Sequence, residues 1–351
     1  MKSGLTVRPL GEADYDGWND LAAKSAEGSV YATPEYLAAL CEATGGRSRI
    51  LGAFRGEELV GGLPLYEEAS RWGTSVSTRL LLYYCAPVLR TYETKYPSQR
   101  TARQLGILKA LIDALEDLPY ARVRLRARSP LVDVRAFQAA GWRVSPTYTY
   151  VVPIGDLAAQ RERVEQNLRR LIDRCGRQGI VFTDDDDFDS FFAVHLQLHE
   201  RKGAPLYLPR AAFERYFRRL RAAGLCRLFH ARLPEGLSIA SQLTLLGRHP
   251  VTHTVTAGAH VDYLSLGASA FLRWKAFETL AGLGYQANDL TDAGLNPVTH
   301  FKSQLGGDLE TCFVLERREA TKLVVAERVG AVARRGRRLA GAVVRRLSGR
   351  R

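Results

Sequence analysis

The run Ser265-Leu266-Gly267-Ala268-Ser269-Ala270 leaves a strand-rich region and enters a helix. Backbone N–H groups at a helix N-terminus suit phosphates, and Gly267 would let the backbone approach one closely. The same residues serve equally as a helix cap with a packing glycine. Asp289 ends a strand, and His253 sits in the strand segment His253-Thr-Val-Thr256. Either could accept a proton directly or through water. For His253, a ring hydrogen-bonded within a sheet is the preferred reading. Arg163, Asn167, Arg170, Arg174 and Arg177 recur at 4-3-4-3 spacing, which places one mostly basic stripe on a helix. Such a stripe fits a phosphate or RNA backbone, and it equally fits solvent.

Two further clusters are read as structural. His195 and His199 are spaced i, i+4, but no glutamate follows His195 and no third ligand is apparent, so no metal is expected. Asp184, Asp185, Asp186, Asp187 and Asp189 lack the alternation and glycine of a calcium loop; they read as an acidic helix start.

These residues need a scaffold, and 351 residues suffice for about two domains. The five cysteines are scattered and form no C-x-x-C pair, so neither disulfides nor a zinc site is expected. No apolar run approaches a membrane span, and the first residues lack a signal core, which together imply a cytoplasmic protein. Of the net charge of +13, residues 316–351 carry +9, leaving +4 for the rest. In that tail Val325, Val329, Val332, Gly336, Leu339, Val343 and Leu347 fall on one helical face opposite arginines. The pattern is a basic amphipathic helix suited to anionic lipid or tRNA, or else a disordered basic tail.

Periodicity predicts a strand at 5–10 and helices at 13–25 and 33–43, the second with Thr33 as cap and Pro34 at its first position. A hairpin at 50–65, a buried strand at 80–89, a helix at 100–115, a strand at 121–127 and a strand at 147–154 follow. A comparable order recurs: one helix over 156–177, helices at 189–201 and 209–223, a hairpin at 226–247, and a strand at 251–258. A helix at 268–283, a strand at 285–291, a short helix at 297–305 and a strand at 309–317 complete it. The two hairpins GAFRGEELVGGLPL and FHARLPEGLSIASQLTL suggest two copies of one α/β unit. The expected fold is thus α/β (α+β), with domains 1–154 and 155–318 and a tail 319–351.

The opening LTVRPL…W, the hairpin GEELVGGLPL and AAGW…YTYVVPI resemble the GNAT superfamily, more narrowly its FemAB-like or BioF-like branch. NLRRLIDRCGRQG, RKGAP, SLGASAFLRWKAFE, Asp289 and FKSQLGGDL carry the resemblance through the second half, so that it spans roughly residues 5–317. It implies two tandem GNAT-like domains, each a mixed sheet flanked by helices. It further implies transfer of an acyl or aminoacyl group from acyl-CoA or aminoacyl-tRNA to an amine. The acceptor would be a cell-envelope precursor, as in peptidoglycan cross-bridges, or a small metabolite. Phe301-Lys302 matches a Phe-Lys pair at the acyl-donor site of tRNA-using members. Lys302 would bind a donor phosphate or the developing oxyanion, and Phe301 would stack on a base or line the acyl pocket. The implied site therefore joins Lys302, Asp289 and His253 as catalytic residues to Gly267, Ser269, Phe301, Arg170 and Arg174 as donor contacts, with no metal and no tightly bound cofactor. Leu264 departs from the family's phosphate loop, which has Gln or Arg there. The rival expectation is a non-catalytic GNAT-like scaffold that binds RNA or an anionic membrane through its tail.

Overall fold

Local signals set most elements. The computed structural model describes residues 4–317; the tail 319–351 lies outside the described residues. After β1 (Leu5–Pro9) and α1 (Tyr15–Lys24), the Thr33 hydroxyl accepts the Tyr36 N–H at 3.3 Å and starts α2 (Pro34–Thr44). That helix stops at Gly45, whose φ of +73° is the left-handed turn a glycine tolerates. β2 (Arg47–Arg55) and β3 (Glu58–Ser70) form the expected hairpin. β4 (Gly73–Ser77) and the two-residue β5 (Val88–Leu89) come next. The buried strand predicted over 80–89 is not regular. Leu81 sits at φ +78°, Arg79 and Leu82 form only an isolated bridge, and the segment runs as a loop. α3 (Pro97–Glu116) and β6 (Arg122–Ala127) follow their periodicities, with Val123, Leu125 and Ala127 buried. α4 (Arg135–Ala139) and β7 (Arg143–Pro153) end the first half.

The helix predicted over 156–177 is two, α5 (Leu157–Arg163) and α6 (Gln166–Arg177). Val164, extended at ψ 133°, breaks the run and buries its side chain. β8 (Val181–Asp184), α7 (Phe188–Lys202), α8 (Arg210–Ala222), β9 (Cys226–Arg232), β10 (Ser238–Leu245) and β11 (Val251–Ala259) succeed it. Then come α9 (Ala268–Gly282), β12 (Ala287–Asp289), α10 (Pro297–Ser303) and β13 (Asp308–Glu316).

One mixed sheet runs through both halves in the order β1-β2-β3-β4-β6-β13-β7-β12-β11-β10-β9-β8, with β5 on β3. The late strand β13 lies antiparallel between β6 and β7. β7 reaches across to β12. Two apolar cores line the sheet. The feature that positions the site is the β11–β12 pair, parallel only from Val251 opposite Ala287 to His253 opposite Asp289. β12 then ends while β11 continues to Ala259. The strands part, and a cleft opens between them.

Candidate active site

Beyond Asp289 the backbone enters the left-handed region twice, at Thr291 (φ +47°) and Asp292 (φ +60°). A β-branched residue there is strained, and something must hold it. Asp289, fully buried, accepts the Thr291 N–H at 2.8 Å, the Thr149 hydroxyl at 2.5 Å and the Tyr84 hydroxyl at 2.8 Å. The Thr291 hydroxyl donates to Thr254 O at 2.8 Å, tying the loop to β11. Lys302 on α10 donates its ammonium to the carbonyls of Thr291 and Asp292, the latter at 2.6 Å. An ammonium has three N–H donors, so one remains for the cleft that Lys302 lines.

Burial pushes the Lys302 ammonium down to about 8, and the charge of Arg273 acts in the same direction. Burial alone would raise the Asp289 carboxyl. The contacts with His253 and Thr149, together with the charge of Arg128, outweigh it and hold the group well below the carboxylate range. Desolvation lowers His253, whose Nδ1 lies 3.3 Å from the Asp289 carboxylate, too far off axis for a hydrogen bond. Both side chains lie behind the cleft wall: His253 is 0% exposed and Asp289 1%. Neither contributes to the lining, whereas Leu290, Thr291 and Asp292 do. Proton acceptance by either group, direct or through water, would have to cross that wall; Asp289 holds the strained loop through the Thr291 N–H.

The cleft measures about 740 Å³. It adjoins a second cavity of about 420 Å³ at the start of α9, and Arg201, Lys202, Arg273 and Val298 line both. Gly267, Ser269 and Phe301 belong to the second cavity. Gly267 has φ +82°, and a Cβ there would come within 3.1 Å of the Leu171 side chain on α6. The glycine thus serves both the turn and the helix contact. Ala270 and Phe271 donate their N–H groups to Gly267 O, so the first turn of α9 leaves those of Ala268 and Ser269 for an anion. Arg174 donates to Ser265 O at 2.6 Å and pins α6 against this turn. Arg170 is exposed on the same helix. The basic stripe is not continuous, because Arg163 lies on α5 and pairs with Asp308 at 2.6 Å.

Sequence reasoning passed over Arg273. It is 8% exposed, its Nη1 meets no hydrogen-bond partner, and no carboxylate among the described residues pairs with it. Burial pushes its guanidinium down to about 10. The available signal was a lone arginine inside the apolar helix sequence AFLRWKAF. The His195 and His199 rings lie 4.2 Å apart between centroids with their planes tilted by 50°, and burial together with its neighbour pushes His195 down to about 3. The aspartates at 184–187 and 189 are each paired with an arginine, and Asp187 also caps α7. No group of three or more His, Cys, Asp or Glu among the described residues could hold a metal ion. No helix among the described residues is long and apolar enough to cross a membrane.

Residues 160–303 match the family model of the acetyltransferase (GNAT) domain. No curated protein matches the chain. Among solved structures the chain is similar to FemX, at 12% identity and a TM-score of 0.70, over 88% of this chain and 96% of that one. It is similar to the C-terminal domain (DUF2156) of a putative lysylphosphatidylglycerol synthetase from Agrobacterium fabrum, at 12% identity and 0.58, over 91% and 96%. A tandem GNAT protein from the clavulanic acid biosynthesis pathway matches at 13% identity and 0.53, over 90% and 98%. At such identities the likeness is one of fold.

Proposed function

Taking the chain as a GNAT-superfamily protein with a tandem GNAT-like fold, we propose that it transfers an acyl or aminoacyl group from acyl-CoA or aminoacyl-tRNA to an amine. The observation that carries this reading is the pair of adjoining cavities, one at the α9 N-terminus and one at the splayed strands, with Arg273 on their shared wall and Lys302 in the second. The donor's phosphates would lie near Gly267 and Ser269, with Phe301 along the acyl arm. Arg174 acts from behind, by fixing the turn. The amine's lone pair attacks the acyl carbonyl carbon while both substrates are bound. The tetrahedral oxyanion takes the third N–H of Lys302, and its collapse expels the thiol of CoA or the ribose hydroxyl of tRNA. The amine's proton leaves through water in the cleft. Asp289 is a positioning residue that keeps the Thr291 loop in place, with His253 packed beside its carboxylate.

The likeness to FemX and to a putative lysylphosphatidylglycerol synthetase supports an aminoacyl donor and a cell-envelope acceptor. The basic tail 319–351 would then hold the enzyme near tRNA or an anionic membrane. The test is calorimetric titration with acetyl-CoA and with a mixed aminoacyl-tRNA pool, followed by turnover assays of Lys302→Ala. One donor should bind saturably, and the variant should lose turnover while retaining polyanion binding. If neither donor binds the wild-type chain, the transferase reading fails and the scaffold reading replaces it.

A further inference from the structure

Arg273 is a buried cation left without an anion. It lies one turn beyond Ser269 on α9, about 6 Å further along the axis. It lines both cavities, Nη1 has no partner, and its charge is close enough to that of Lys302 to lower it. The acids nearby are already engaged. Asp292 is 3.3 Å from Arg126. Asp289 is filled by Tyr84, Thr149 and Thr291. In the cleft lining, Asp292 is the one carboxylate among the described residues, against Arg201, Lys202, Arg273 and Lys302. A desolvated guanidinium beside a second cation is unfavourable unless something negative completes it.

We propose that Arg273 is the anion-recognition residue of the acceptor subsite, so that the accepted amine carries a carboxylate or phosphate that pairs with this guanidinium. The inference rests on the transferase reading for the word acceptor, and on the unpaired arginine for the anion. On the transferase reading the donor's phosphates would take the first turn of α9, and the arm between phosphate and acyl carbon is uncharged in CoA, which leaves the anion to the acceptor. The planar fork of an arginine matches a carboxylate or phosphate in two-point contact, which would also orient the amine toward Lys302.

The test uses the full chain and two simple probes, inorganic phosphate and propionate, followed by melting temperature at constant ionic strength against chloride. At least one probe should stabilise the wild-type protein saturably, and should still do so with acetyl-CoA at saturation. Arg273→Gln should weaken that probe by at least about tenfold, the scale of one charge-assisted contact, and Arg273→Lys should retain most of the binding. The proposal is overturned if neither probe exceeds chloride, or if Arg273→Gln binds the probe as the wild type does. It is also overturned if acetyl-CoA displaces the probe and Arg273→Gln loses acetyl-CoA instead, which would assign the arginine to the donor. The competition in the wild-type protein requires no variant to fold. Failure of both donors to bind would remove the transferase reading, while the response of the probe to Arg273→Gln would still judge the anion site.

Discussion

Replacing Lys302 by methionine should change stability in a strongly pH-dependent way. The side chain is half-buried among Thr291, Asp292 and Arg273, and its ordinary value of 10.5 is pushed down to about 8, with burial as the largest cause. Between those two values the unfolded chain binds a proton that the folded chain has lost, so wild-type stability rises with pH across that window. Below about 8 both states are protonated, and the folded protein bears the full cost of the buried cation. Methionine keeps the length of the stem and removes the titration. Relative to Lys302→Met, the wild type should therefore gain about 2–3 kcal/mol on going from about pH 7 to about pH 10. The loss of the two carbonyl contacts adds an offset to the variant, but that offset does not titrate. Buried tyrosines titrate alike in both proteins and cancel. Parallel urea unfolding followed by tryptophan fluorescence at a series of pH values measures the gap. A gap constant to within about 0.5 kcal/mol would show that Lys302 is solvated as an ordinary surface lysine, and the desolvated site would have to be abandoned.

Other substitutions probe the remaining parts. Gly267→Ala places a methyl group on a left-handed residue against Leu171; it should cost about 1–3 kcal/mol, lower the melting temperature, and weaken donor binding in the same preparation. Asp289→Asn should cost about 2–4 kcal/mol at neutral pH, because Tyr84, Thr149 and the Thr291 N–H lose a charged acceptor. A carboxyl held below its ordinary 3.8 contributes stability above that value and loses it as pH falls, so the gap from wild type should narrow in acid melts below about pH 4. Deleting residues 319–351 should lower RNA or anionic-vesicle binding and flatten its salt dependence, read by filter binding and co-sedimentation; unchanged binding would place the polyanion contact elsewhere.

Elements with a clean period were legible in the residues. β6 alternates strictly, and α2 carries a capping threonine, a first-turn proline and a closing glycine. The segment at 80–89 misled because its leucines and tyrosines are buried without being in a strand. Tyr84 spends its hydroxyl on Asp289, a partner more than two hundred residues away, and no local pattern encodes that. The break at Val164 was hidden because helical spacing continues on both sides of it. At the site, the resemblance to a family pointed to Lys302, and the structure added what surrounds it: two left-handed residues and an unpaired arginine. Arg273 escaped notice because a charged residue in a largely apolar helix is usually a side chain that reaches solvent, as Lys275 does two residues on. Its burial depends on the packing of α9 against α6 and the strands β9, β10 and β11, and those contacts are made only in three dimensions.

The placement of β13 also bears on how the molecule is made. Phe313 pairs with Ala127 on one side and Pro146 on the other, so the strand that joins β6 to β7 is among the last of the described residues to be synthesised. Until the ribosome has delivered that segment, β6 and β7 each present an unpaired edge to the cell. The first half therefore has to wait for the second before its sheet can close. Pairings this distant in sequence imply slow, late consolidation and a nascent chain exposed to edge-to-edge association throughout synthesis. A polypeptide truncated before residue 308 would retain both open edges permanently, and would be expected in inclusion bodies rather than as an isolated soluble half.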